Sequence, residues 1–261
     1  MNALRLLAIF FRLGAMNEVQ YRANFWIQLV RTVMNLGFAL FAVFIVFDQT
    51  DHLNGWTPPE LVVLMGVWTL MGGLLGVAMQ PSMEKFIEDV REGTLDFTLT
   101  KPEDAQLLVS ISQVRVWRLV DVVVGPLVIF AALSYMGEET DGHEALGFAV
   151  TLTAGTIILY SFWLMLSTVS FWFVRIENIL MIFHSMYGAA RWPVTIYPGW
   201  MQAMLTFLVP VAFAVTVPAG ALVGRLPMPW LFGTVALATV LLVASRLFWK
   251  IGVRHYSGAS A

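Results

Sequence analysis

Very few residues of this chain could carry out covalent or acid–base chemistry. Its 261 residues include no cysteine, and the four histidines, His52, His143, His184 and His255, form no ligand-spaced pair. There is thus no disulfide, no thiolate metal site and no cysteine nucleophile. His184 reads as a packed or interfacial histidine. No Gly-x-x-x-x-Gly-Lys-Ser/Thr occurs, nor any Gly-Lys pair, so the chain has no P-loop with which to cradle nucleotide phosphates. His-Glu-x-x-His, Gly-x-Ser-x-Gly and paired carboxylates within apolar runs are also absent. The sequence predicts no catalytic residue and no metal ligand. What remains is electrostatic. Arg31 lies inside one long apolar run and Asp121 near the start of another. Arg31 either snorkels to the nearer face or pairs with Asp121.

The richest polar segment is Pro81–Ser112. In Ser82–Glu92 the charges of Glu84, Lys85, Glu88, Asp89 and Arg91 fall on one helical face, and Met83, Phe86, Ile87 and Val90 on the other. Gly93 is placed to stop that helix. Thr94, Leu95 and Asp96 follow, then Lys101-Pro102-Glu103-Asp104. The pattern predicts a short amphipathic helix lying along a membrane. The segment is either an ordinary solvated loop or a docking surface, in which Phe86 and Ile87 would be the apolar anchors.

The elements that must position these residues are set by composition. The chain is 59% hydrophobic and 12% charged, with mean hydropathy +0.77. A soluble domain is about half apolar and about a quarter charged. Too little polar surface remains to face water, so the apolar surplus must face a lipid bilayer. A net charge of −2 argues against a nucleic-acid partner. Runs long enough to span are Phe25–Phe47, Leu61–Met79, Val114–Met136, Ala145–Val174 and Trp230–Trp249. The stretch Ile179–Val223 is interrupted by Pro193, Pro198, Pro210 and Pro218. The expected fold is all-α, a polytopic bundle of six transmembrane helices forming one domain over residues 1–261. Asn2–Tyr21 has the pattern of an amphipathic interface helix rather than a cleaved signal, with Arg5 and Arg12 on one face.

Basic residues set the orientation. Arg5, Arg12 and Arg22, then Lys85, Arg91, Lys101, Arg115 and Arg118, then Arg175, then Arg246, Lys250 and Arg254 share one side if the spans alternate. That side is the cytoplasm, and both termini lie there. Asp51 and Asp141 lie in the opposite loops. Ile179–Val223 then crosses once, and its remainder, about Gly199–Val223 within an outer segment 192–228, dips in and returns. The alternative is two full spans with the tail outside.

The stretch Arg91-Glu-Gly-Thr-Leu-Asp-Phe-Thr-Leu-Thr-Lys-Pro102 resembles the first cytoplasmic loop of ABC transporter permeases of the second exporter type, nearest to a bacterial subgroup of bare six-helix permeases. Tyr197-Pro-Gly-Trp-Met-Gln, with Phe207-Leu-Val-Pro210 and Val217-Pro218-Ala, is similar to that family's proline-punctuated outer segment. The tail Phe248-Trp-Lys-Ile-Gly-Val-Arg-His-Tyr-Ser-Gly-Ala-Ser260 is similar to the subgroup's ending. The resemblance implies a permease in the bacterial inner membrane. It would work as a dimer with a second permease copy or a paralogous permease. Each protomer would dock on a separate cytoplasmic ABC ATPase subunit that holds ATP and Mg. It implies a coupling helix over Ser82–Asp96, engaging Met83, Glu84, Phe86, Ile87, Val90, Gly93, Leu95 and Asp96, and a connecting helix over Asn2–Tyr21. Pro193, Pro198, Pro210 and Pro218 would shape an outer gate. A stand-alone secondary carrier and a membrane scaffold without transport are the other functions considered.

Overall fold

The computed structural model describes residues 12, 16, 22–137, 141–173 and 177–256. The expected connecting helix Asn2–Tyr21 lies outside the described residues, apart from positions 12 and 16. Among the described residues every extended element is helical, save one isolated bridge between Leu53 and Trp56.

Among the described residues, five helices are long and apolar enough to cross a membrane. They are α1 (Arg22–Phe47), α2 (Pro58–Glu92), α5 (Val116–Met136), α6 (Gly142–Phe171) and α10 (Met228–His255). Short helices α3 (Asp96–Leu99) and α4 (Ala105–Ser110) lie between α2 and α5. Helix α7 (Glu177–Ala189) has 13 described residues. A bent pair follows, α8 (Gly199–Leu208) and α9 (Val211–Leu222), at 72° to each other. Counted as one, this pair makes six candidate spans. The chain is thus an all-α polytopic helix bundle.

Helix α2 begins where Pro58 and Pro59 occupy its first turn and the Glu60 carboxylate accepts the Thr57 amide at 2.7 Å. It does not stop at Pro81. A π-helical turn, Leu75–Met79, comes just before, and Pro81 has no N–H to give the Val77 carbonyl. The Arg115 amide takes that carbonyl instead, at 2.7 Å. The vacant acceptor therefore ties the entry of α5 to α2. Ser82 Oγ reinforces the tie, donating to the Gln113 carbonyl at 3.0 Å and accepting from the Gln113 amide at 3.1 Å. Gly93 then ends α2 in the left-handed region, at φ 72°, as its position predicted.

Glycines let α2 and α5 touch through their backbones. A Cβ on Gly125 would lie 2.7 Å from the Leu70 nitrogen, and one on Gly73 would lie 2.8 Å from the Val122 nitrogen. This close approach brings Asp121 against the middle of α2. Helix α9 is buried among the others: Val211, Ala214, Val215 and Ala219 are fully covered.

One expectation is corrected here. Ser82–Glu92 is not a separate helix lying on a surface but the continuation of α2. Its apolar face is turned inward, with Met83, Phe86 and Leu95 at 1% exposure or less and Ile87 at 5%. The Phe86 ring meets Phe171 at 5.4 Å and Trp249 at 5.2 Å. An amphipathic segment needs some cover for its apolar face. Here the aromatic ends of α6 and α10 reach the same level and supply it.

Candidate functional site

The apex formed by the end of α2, α3 and the following loop is the first candidate. Lys85 bridges Glu88 at 3.0 Å and Asp89 at 3.2 Å, and Thr94 Oγ1 donates to Asp89 at 3.0 Å. These bonds hold the charged face in one arrangement. Glu84 is drawn away from it, pairing with Arg115 at 2.7 Å. With Phe86, Ile87 and Leu95 buried, the large apolar side chain left on the surface is Phe97, 74% exposed. Arg91, Glu92, Thr100, Lys101 and Pro102 surround it in sequence and are exposed. The residue was written in the sequence between Asp96 and Thr98. Only burial of its neighbours singles it out.

The next turn is clamped to α10. Asp104 caps α4 by accepting the Leu107 amide at 3.1 Å. Arg246 donates to Asp104 through both terminal nitrogens, one at 2.9 Å, and to Gln106 at 2.7 Å. The Arg246 guanidinium beside it holds the Asp104 carboxyl below the usual range.

The second candidate is a cavity of about 320 Å³ between α1, α2, the start of α5 and α7. Asp121 sits in its wall, with its side chain 8% exposed. It accepts from Arg118 Nη1 at 3.0 Å, from Gln28 Nε2 at 2.9 Å and from Thr32 Oγ1. The expected pairing of Arg31 with Asp121 is therefore corrected: Arg118, one turn earlier on the same helix, fills that role. Residues three apart share a helix face, whereas Arg31 would have to reach across from α1. Arg31 lines the same cavity and is exposed. A polar stripe on α1 was readable in the sequence. Gln28, Thr32 and Asn35 recur at helical spacing through an apolar run, and all line the cavity.

Above this, Trp68 and Tyr187 exchange hydrogen bonds. Trp68 Nε1 donates to the Tyr187 carbonyl at 3.1 Å, and Tyr187 Oη donates to the Trp68 carbonyl at 2.9 Å. The rings stack with centroids 5.7 Å apart. The Arg191 guanidinium lies over Trp68, 4.8 Å from its centroid.

The proline-rich segment closes the opposite end of the bundle from Phe97. Pro193 and Pro210 are buried, Pro198 is exposed and precedes α8, and Pro218 is buried within α9. Pro210 stands at the bend between α8 and α9. Three contacts bind this segment to the loop before α2 and to the first turn of α2. Asn54 donates to the Thr195 carbonyl, Arg225 Nε donates to Glu60 at 2.8 Å, and the Arg225 guanidinium lies over Trp56 at 5.4 Å. Arg191 and Arg225, the basic residues of this segment, are both engaged with aromatic rings.

The described helices thus place a charged cavity inside an apolar bundle, with an exposed apex at one end and a closed proline-broken segment at the other. No curated protein matches the chain. A family model described as ABC-2 family transporter protein matches residues 33–260. The chain belongs to the ABC-2 transporter family, as a multi-pass permease component of an ABC transporter.

Proposed function

We propose that this chain is the pathway-forming permease subunit of an ATP-driven exporter of the second type, in the bacterial cytoplasmic membrane. The end carrying Lys101 faces the cytoplasm. ATP and Mg belong to a separate ABC ATPase subunit, and the permease pairs with a second copy of itself or a paralogous permease. The observation that carries this reading is the continuity of α2. One helix from Pro58 to Glu92 contributes both the cavity wall, at Met65, Trp68 and Leu75, and the stem of the exposed apex. A push at the apex is thereby carried toward the cavity along one helix, through its π-helical turn at Leu75–Met79.

The docking surface is revised by the burial of Phe86. Phe97 is the apolar anchor, and Arg91, Glu92 and Lys101 form a charged rim that sets orientation more than affinity. Met83, Phe86, Ile87 and Leu95 support it from beneath. Gly93 and Asp96 shape the turn that presents it. The segment carrying Pro193, Pro198, Pro210 and Pro218 acts as the outer gate, held shut by the Glu60–Arg225 pair.

Replacing Phe97 with Asp tests the reading. The permease should insert and keep its thermal stability, yet fail to co-purify with a co-expressed ABC ATPase subunit that the wild type retains. ATP hydrolysis in reconstituted vesicles should no longer respond to the permease. An unchanged complex with unchanged coupling would overturn the docking assignment and favour a stand-alone carrier.

A further inference from the structure

The cavity carries an imbalance of charge that docking at the apex does not use. Three guanidiniums, those of Arg31, Arg118 and Arg191, line it against the single carboxylate of Asp121. Arg118 is committed to Asp121 at 3.0 Å. Among the described residues no ion pair joins Arg31 or Arg191 to a carboxylate. Arg191 Nε is buried and has no hydrogen-bond acceptor. Burying a guanidinium N–H without an acceptor is costly. An ionic group inside an apolar bundle marks a pathway or a ligand site.

The missing partner is an oxyanion, which matches the planar fork of arginine. The rest of the wall is mixed: Gln28, Thr32 and Asn35 are polar, and Leu36, Met65 and Leu75 supply apolar surface. On α2 the cavity is lined by residues from Met65 to Gln80. A cavity that sets apolar surface beside cationic groups suits a molecule with an apolar body and an anionic head.

We infer that this cavity binds an anionic amphiphile, a phosphate- or carboxylate-type oxyanion on an apolar body, with Arg191 and Arg31 as its charge partners. Trp68 holds Arg191 in place from below, and the stacked Tyr187 fixes Trp68. The inference names the class of cargo and so rests on the permease reading. Its test uses the permease alone, so a failure of ATPase docking would leave it standing, and the reverse.

The full chain, purified in neutral maltoside micelles, is titrated with dodecyl phosphate, dodecyltrimethylammonium and inorganic phosphate, and bound molecules are counted by native mass spectrometry. Dodecyl phosphate should bind, and Arg191→Gln and Arg31→Gln should each weaken it about tenfold or more. Arg246→Gln, outside the cavity, should leave it unchanged. Arg191→Lys and Arg31→Lys keep the charge and guard against misfolding; they should hold binding within about threefold. Equal binding of the cationic amphiphile would overturn the inference. So would glutamine variants that bind like the wild type, or lysine variants that bind no better than glutamine ones. Inorganic phosphate binding as tightly as dodecyl phosphate would overturn the amphiphile assignment.

Discussion

The Phe86 ring packs 5.2 Å from that of Trp249, joining the end of α2 to the end of α10 inside the bundle. Phe86 is 1% exposed, Trp249 4%. This contact separates what supports the apex from what the apex presents. Phe86→Ala should destabilise the permease by about 3–5 kcal/mol, the range for deleting a buried aromatic ring. Phe97→Ala should stay within about 0.5 kcal/mol, since its ring is exposed. Thermal unfolding in detergent measures both. Equal losses would show that Phe97 is also part of the core.

Asp121 depends on Arg118. Arg118→Ala leaves a buried carboxylate without its cation and should cost about 3–5 kcal/mol. Arg31→Ala should cost less than about 1 kcal/mol, because no carboxylate of the described residues relies on it. Removing both partners, Arg118→Leu with Asp121→Leu, should recover most of the loss. Denaturant or thermal unfolding of the three variants decides it. A larger loss for Arg31→Ala than for Arg118→Ala would reverse the assignment.

Gly125 should tolerate no side chain. Its Cβ would lie 2.7 Å from the Leu70 backbone nitrogen, and backbone cannot swing aside as a flexible side chain can. Gly125→Ala should part α2 from α5 and cost about 1–3 kcal/mol. Gly37 on α1 has nothing within 4 Å of the same position. Gly37→Ala should be neutral or stabilising by about 0.5–1 kcal/mol, as expected for glycine replaced within a helix. The two glycines sit in similar apolar sequence, so opposite signs would isolate packing from propensity.

The Asp104–Arg246 clamp should make stability depend on pH at the acidic end. Arg246 lowers the Asp104 carboxyl in the folded state. A depressed carboxylate stabilises above its unfolded pKa, and that contribution is lost as pH falls through the folded pKa. Both side chains are about two-fifths exposed, so the effect is small. Asp104→Asn keeps a good helix cap while removing the charge. The gap in melting temperature between wild type and Asp104→Asn should be present at neutral pH and close below the usual aspartate range. A gap that persists there would show that the clamp acts through its hydrogen bonds rather than its charge.

Local properties of the chain were enough for the elements. A run of some 20 apolar residues buries its backbone polar groups in a helix wherever it lies, so Phe25–Phe47 and Val114–Met136 were readable one residue at a time. The Gly93 stop and the break at Pro210 were equally local, because a left-handed residue and a missing donor act on their own turn. What covers each face was decided only in three dimensions. Phe86 and Phe97 are both phenylalanines in one polar segment. The ends of α6 and α10, distant in sequence, bury the first and leave the second bare. Asp121 likewise had Arg31 as the partner offered by the sequence, with Arg118 passed over. The glycine-lined contact of α2 with α5 and the i,i+3 reach from Arg118 settled that choice, and so left Arg31 and Arg191 facing a shared cavity.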